Sequence, residues 1–137
     1  MNASRKLAAL GAAFVIVALA AALVALPAAA TRTVRIPSAI SIRSHGLTFS
    51  GKVTAGKYEP CVQQRKVTLY KDLGNGSGQA LMSTRTDDQG RWKITPPGSA
   101  GISLWEFFAR VKKRSEGTAG TIYLCKGARS KTIKVSP

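Results

Sequence analysis

Histidine and acid are the scarce residues of this chain. Its 137 residues hold one His, six Asp or Glu and two Cys. One histidine excludes His-rich metal sites, and two cysteines exclude a cysteine-rich knot and most zinc frameworks. There is no G-x-S-x-G nucleophile elbow, no D-x-D-x-D-G calcium loop and no C-x-x-C pair. Helix-turn-helix, RNP-like aromatic and zinc-knuckle signatures are missing as well, so no specific nucleic-acid recognition is expected. Neither an internal repeat nor a coiled-coil heptad is present. With so thin a catalytic stock, the chain reads as a non-enzyme that takes no cofactor and no metal.

Positive charge is what the chain has in excess: 21 Lys and Arg, for a formal net charge of +15. Hydrophobic residues make up 45%, which places it among globular rather than disordered chains. The length allows one domain.

Residues 1–30 read as a secretory signal helix. Arg5 and Lys6 form a positive start, an unbroken apolar run follows from Leu7 to Leu26, and Ala28 and Ala30 supply a small-x-small cleavage pattern. The competing reading is an uncleaved membrane anchor, because the run has about the 20 residues that cross a bilayer. Pro27, beside the cleavage pattern, favours removal. Residues 31–46 read as an N-terminal extension with a first strand, and 47–137 as the folded domain. Either outcome leaves the domain outside the cytoplasm, secreted or at the cell envelope. There an even pair of cysteines is expected to be a disulfide, Cys61–Cys125, stabilising by about 4 kcal/mol in the chain-entropy account.

Beyond residue 30 the pattern is short alternating strands punctuated by Gly and Pro, with no helical period. Leu47, Phe49 and Val53 alternate with Thr48, Ser50 and Lys52. Val67 and Leu69 alternate with Lys66, Thr68 and Tyr70, and Trp92 and Ile94 with Arg91, Lys93 and Thr95. Trp105, Phe107, Ala109 and Val111 are expected inward, leaving Glu106, Phe108, Arg110 and Lys112 outward. Ile40 to Arg43, Tyr123 to Cys125 and Ile133 to Val135 complete the set, while Leu81 and Met82 have no assignable face. Asp72 to Gly78 reads as a flexible loop, and Asp87 to Gly90 as a turn with a left-handed Gly joining two hairpin strands. Pro96-Pro97-Gly98 stops a strand, and Gly117 to Gly120 separates another pair. Seven or eight strands at this spacing predict an all-β, Ig-like sandwich.

The run Phe49-Ser50-Gly51-Lys52-Val53, then Arg65 to Tyr70, then Thr86-Asp87-Asp88-Gln89-Gly90-Arg91-Trp92 is similar to carboxypeptidase regulatory-like and transthyretin-like domains. Those modules show G-x-V, a strand reading x-V-x-L, and T-D-x-x-G-x-aromatic. The resemblance covers roughly residues 47 to 135. It implies a seven-stranded prealbumin-like sandwich serving as an accessory or adhesive module, with no catalytic residues to carry over and no hormone channel.

Each candidate for chemistry has a plainer structural reading. His45 lacks a nucleophile or an orienting carboxylate nearby in sequence and is expected in an exposed loop. Asp87 and Asp88 are flanked by Arg85 and Arg91, which suits a turn better than calcium. The six acids offer no spacing that nominates a pair for glycoside hydrolysis. The basic excess remains as the feature to explain. Lys52, Lys66, Arg91, Lys93, Arg110, Lys112 and Lys134 fall on outward positions, and Lys113 and Arg114 extend the run that ends a strand. Such a surface attracts polyanions. The expected function is therefore a basic envelope-associated or secreted module, binding or structural, drawn to anionic cell-envelope polymers. The alternative is a secreted ligand- or protein-binding domain of inhibitor type. It would use the loops Asp72–Gly78, Pro96–Ser103 and Arg114–Gly120, with another extracellular protein as partner.

Overall fold

The computed structural model of the protein describes residues 30–98 and 105–135. Residues 1–29, which hold all but the last residue of the predicted signal helix, and residues 99–104 lie outside these residues. Among the described residues no α-helix occurs, and no helix is long and apolar enough to cross a membrane.

The chain is all-β. Its strands are β1 (Arg32–Ile36), β2 (Ala39–Ile40), β3 (Arg43–His45), β4 (Thr48–Thr54), β5 (Lys66–Gly74), β6 (Ser77–Arg85), β7 (Arg91–Ile94), β8 (Glu106–Val111), β9 (Arg114–Thr118), β10 (Thr121–Cys125), β11 (Ala128–Arg129) and β12 (Ile133–Lys134). One 3₁₀ turn, Glu59–Cys61, separates β4 from β5. In the first sheet β4 is central, with β2 and β3 along one edge and β7 along the other. In the second, β5 and β8 are central, β6 forms one edge, and β11 and β12 share the other. A third, smaller sheet runs β1-β10-β9, with β1 parallel to β10.

Period-two alternation builds the core between the first two sheets. Phe49, Val53, Trp92 and Ile94 come from one, and Val67, Leu69, Phe107, Ala109 and Val111 from the other. Phe49 and Phe107 meet across it with ring centroids 4.9 Å apart. Each buried Val, Leu, Ile or Phe of this set contributes roughly 1.5–3 kcal/mol. Leu47, expected with this set, is only half-buried.

The first predicted strand, Ile40 to Arg43, is instead broken between β2 and β3. The chain folds tightly over β4 there, and a Cβ on Gly51 would lie 1.9 Å from the Ser41 carbonyl oxygen. Only glycine permits that approach. The expected loop Asp72 to Gly78 is a continuous hairpin. Asn75 and Gly76 both take positive φ (53° and 75°), the signature of a two-residue Asn-Gly turn. The Asp87 to Gly90 turn forms as expected, with Gly90 at φ 79° donating its N–H to Asp87 O at 3.0 Å. However, it carries the chain from β6 in one sheet to β7 in the other, so the two strands are not a hairpin.

Two aromatics depart from the burial that the alternation predicts. Trp105 was expected in the core but is 45% exposed, because β8 begins only at Glu106; Lys71 Nζ lies 3.1 Å from its ring centroid. Phe108 points to the outer side as expected, yet it is fully buried. Tyr70 stacks beside it at 5.2 Å, the Arg129 guanidinium covers it at 3.7 Å, and Gly78 leaves room for the ring.

A second, smaller core holds the Cys61–Cys125 disulfide, with Cα atoms 5.4 Å apart, packed with Ala55, Ile36, Tyr58 and Val62. Beside it lies Arg65, whose side chain is wholly buried. Its Nη1 donates to Cys61 O and, at 3.3 Å, to Ser38 Oγ. Its Nη2 donates to Lys112 O at 2.8 Å and Lys126 O at 2.9 Å. Burial and then Arg114 push its pKa down while Glu116 pushes it up, but a guanidinium stays charged at any working pH. Carbonyl dipoles, rather than a carboxylate, therefore compensate the buried charge.

Arg65→Met removes every donor while keeping most of the volume. Orphaning these acceptors should lower stability by about 3 kcal/mol or more in urea denaturation, with Arg65→Lys recovering part of it. An unchanged midpoint for Arg65→Met would refute this role. Replacing both cysteines by Ser should cost about 4 kcal/mol by the same measurement.

Candidate anion-binding surface

Strand register decides which cations become neighbours. On the outer side of the first sheet, Lys52 stands opposite Arg91, and Ser50 stands between Lys93 on β7 and Arg43 on β3. Thr48 is opposite His45 and shares a 3.0 Å hydrogen bond with Thr95. Together they make a shallow groove of about 930 Å³. Arg43, His45, Lys52, Arg91 and Lys93 rim it, Ser50 lies on its floor, and no acid is among its lining residues. Arg43 Nε donates to Ser50 Oγ at 3.2 Å, which lays the arginine across the groove. Beneath it Trp92 is buried, packed against Gly51, and its Nε1 has no hydrogen-bond partner among the described residues. Asp87 stands at one end, its Oδ2 2.9 Å from Arg91 Nε.

The remaining cations singled out in the sequence lie elsewhere. Lys66 and Arg110 project from the outer side of the second sheet, where Lys66 pairs in register with Arg85. The Arg110 guanidinium rests 5.5 Å from the Tyr70 ring and 5.4 Å from Phe108. Lys134 lies 3.4 Å from Glu106. Lys112 and Lys113 are exposed on the link from β8 to β9. Arg114 is a structural clamp: it donates to Pro60 O and to Gln64 O (3.1 Å), and its Nε is 2.8 Å from Glu116.

The nine named cations thus do not converge. Lys52, Arg91 and Lys93 share the groove, Lys66, Arg110 and Lys134 lie on a second face, Lys112 and Lys113 on a linker, and Arg114 at the start of β9. Sequence reasoning missed Arg43 and His45 as members of that group. The available signal was that positions 43 and 45 share a parity just before Gly46, which takes φ +56° in the turn leading to β4. His45 is exposed as expected, but it ends a strand at the groove mouth.

The loops named for the alternative reading change character as well. Asp72–Gly78 is a tight hairpin, most of Arg114–Gly120 is strand β9, and Pro96–Ser103 lies partly outside the described residues. Among the described residues, no group of three or more His, Cys, Asp or Glu is placed to hold a metal. Both oxygens of Asp87 are occupied, accepting from Gln89 N, Arg91 N and Arg91 Nε.

Asp72 fastens the second face. It accepts from Gly74 N at 2.8 Å, Thr132 Oγ1 at 2.9 Å and Arg129 Nη2 at 3.2 Å. The Gly74 and Thr132 hydrogen bonds, with the charge of Arg129, outweigh burial and hold its pKa below the usual carboxylate range. A depressed carboxylate stabilises fully above its unfolded value, about 4, and that contribution disappears as pH falls through the folded value. Asp72→Asn should therefore melt below the wild type at neutral pH, with the gap closing below about pH 4. A gap of constant size throughout an acid titration of the melting temperature would contradict this.

Comparison with protein-family profiles, with curated proteins and with solved structures finds no match to this chain.

Proposed function

We propose that the protein is an exported, non-enzymatic module that works outside the cytoplasm, held by its basic surface against anionic polymers of the cell envelope. The observation that carries this reading is the groove on the first sheet, where five basic side chains gather with no acid among the lining residues. Like charges held at neighbouring positions repel one another, and an anionic partner relieves that repulsion.

Three further features support it. The apolar run ending at Pro27-Ala28-Ala29-Ala30 suits an export signal. The disulfide suits an oxidising compartment. Two antiparallel sheets closing on one core are consistent with a sandwich of the Ig-like or prealbumin-like kind, and Gly51 and Gly90 occupy tight approaches in the segments that resemble transthyretin-like domains. Such a frame serves binding by presenting a rigid surface, and nothing in this reading requires a reacting group.

The test is binding of the full chain, kept in non-ionic detergent, to envelopes of its own cells at about 50 and about 200 mM salt. Steep loss of binding between the two is expected for contacts to several charges. Absence of binding at the lower salt would sink the proposal.

A further inference from the structure

We propose that the groove on the outer side of the first sheet binds a linear phosphodiester chain. The inference rests on the envelope-polymer reading and assigns it a locus and a ligand chemistry.

The sheet itself sets the spacing. Lys52 and Arg91 form one row on adjacent strands, and Lys93, Ser50 and Arg43 form the next. Adjacent strands are about 5 Å apart, and rows on one face are two residues, or about 7 Å, apart along the strand. A flexible chain with an anion every 6 to 7 Å, roughly a phosphodiester backbone, can reach both rows at once. Polymers charged more sparsely would engage only one row.

The donors also suit phosphate. Among the described residues, the only side-chain hydrogen bond of Arg43 runs from Nε to Ser50 Oγ, leaving its two terminal nitrogens for a bidentate contact. Neither Lys52 nor Lys93 belongs to any ion pair among the described residues. The Ser50 hydroxyl on the floor adds a neutral donor between the rows.

Two comparisons on the molecule sharpen the choice. The second sheet's outer face is also basic, but Arg129 is bound to Asp72, Lys134 to Glu106, and Arg110 rests on aromatic rings. Arg110, Arg129 and Lys134 of that face thus already have partners, whereas of the groove's cations only Arg91 is ion-paired among the described residues, to Asp87. In the groove, the only aromatic among the described lining residues is Trp92, which is buried at 3% exposure. Bases of a single-stranded nucleic acid would have no ring to stack on, so the chain is recognised by its charges alone.

The experiment compares the full chain, in non-ionic detergent, with two double variants: Lys52→Ser/Lys93→Ser in the groove and Lys66→Ser/Arg110→Ser on the other face. All four positions are exposed, and a thermal melt of each variant checks that it folds. The probes are poly(glycerol phosphate), single-stranded DNA and poly-glutamate of equal charge. With four cations engaged (Arg43, Lys52, Arg91 and Lys93), wild-type binding to poly(glycerol phosphate) should fall on the order of 50-fold between about 50 and about 200 mM salt. The groove variant should roughly halve the logarithmic salt slope and weaken binding at least about tenfold, and the other variant should change neither appreciably. Equal losses in the two variants, or an unaffected groove variant, would overturn the assignment of the site while leaving the envelope reading standing. Tighter binding of poly-glutamate than of poly(glycerol phosphate) would overturn the ligand class, and tighter binding of DNA than of poly(glycerol phosphate) would overturn recognition by charge alone. No binding of any probe or of envelopes by the wild type would remove the envelope reading itself.

Discussion

The buried guanidinium of Arg65 is the contact on which the arrangement of the outlying segments depends. It reaches Cys61 of the 3₁₀ turn, Lys112 after β8, Lys126 after β10 and Ser38 after β1. An isolated buried charge is costly, so the chain is held where carbonyl oxygens can converge on it. The disulfide acts at the same place, joining Cys61 to the end of β10. One covalent and several charge-assisted constraints therefore fasten the small third sheet to the two that form the main core. Without them, β9 and β10 would be a hairpin with few apolar contacts of its own, since the second core gathers few side chains.

The main core needs less of this help. Its residues come from alternating positions on long strands, and each sheet presents a continuous apolar face. The outer faces are consequently free to carry charge, and they use it differently. On the second sheet, cations are absorbed into the fold: Arg129 over Phe108 and against Asp72, Arg110 against two rings. That covering explains how an outward phenylalanine can be fully buried. On the first sheet, Arg91 is paired with Asp87, while the neighbours of Arg43, Lys52 and Lys93 are hydroxyls and other cations. Equal numbers of basic residues can thus mean cohesion on one face and a candidate contact surface on another.

The inward positions Phe49, Val53, Val67, Leu69, Trp92, Ile94, Phe107, Ala109 and Val111 were legible in the sequence because alternation is local and needs no partner to be seen. The cysteine pair was legible because the chain contains only two. Arg65 was not: it lies between Gln64 and Lys66 and looks like any surface cation. Its acceptors arrive from 47 and 61 residues further along the chain. Strand β1 was hidden for a related reason, since a parallel pairing with β10 leaves no local turn signature. Trp105 failed as a core residue because alternation says which side a residue faces but not where the strand begins. The Asn75-Gly76 turn, by contrast, carried a local signal that outranked the general impression of a glycine-rich loop.

Composition and periodicity by themselves determined that the chain is β-built, basic, poor in catalytic groups and equipped with one disulfide, because these follow from residue type and from the two-residue repeat. They also placed the cations on outward positions. Only the tertiary structure decided which of those cations stand together. Arg43 and Lys93 are 50 residues apart in the chain, and they become neighbours across Ser50 only through strand register, a property of pairing that no single strand contains.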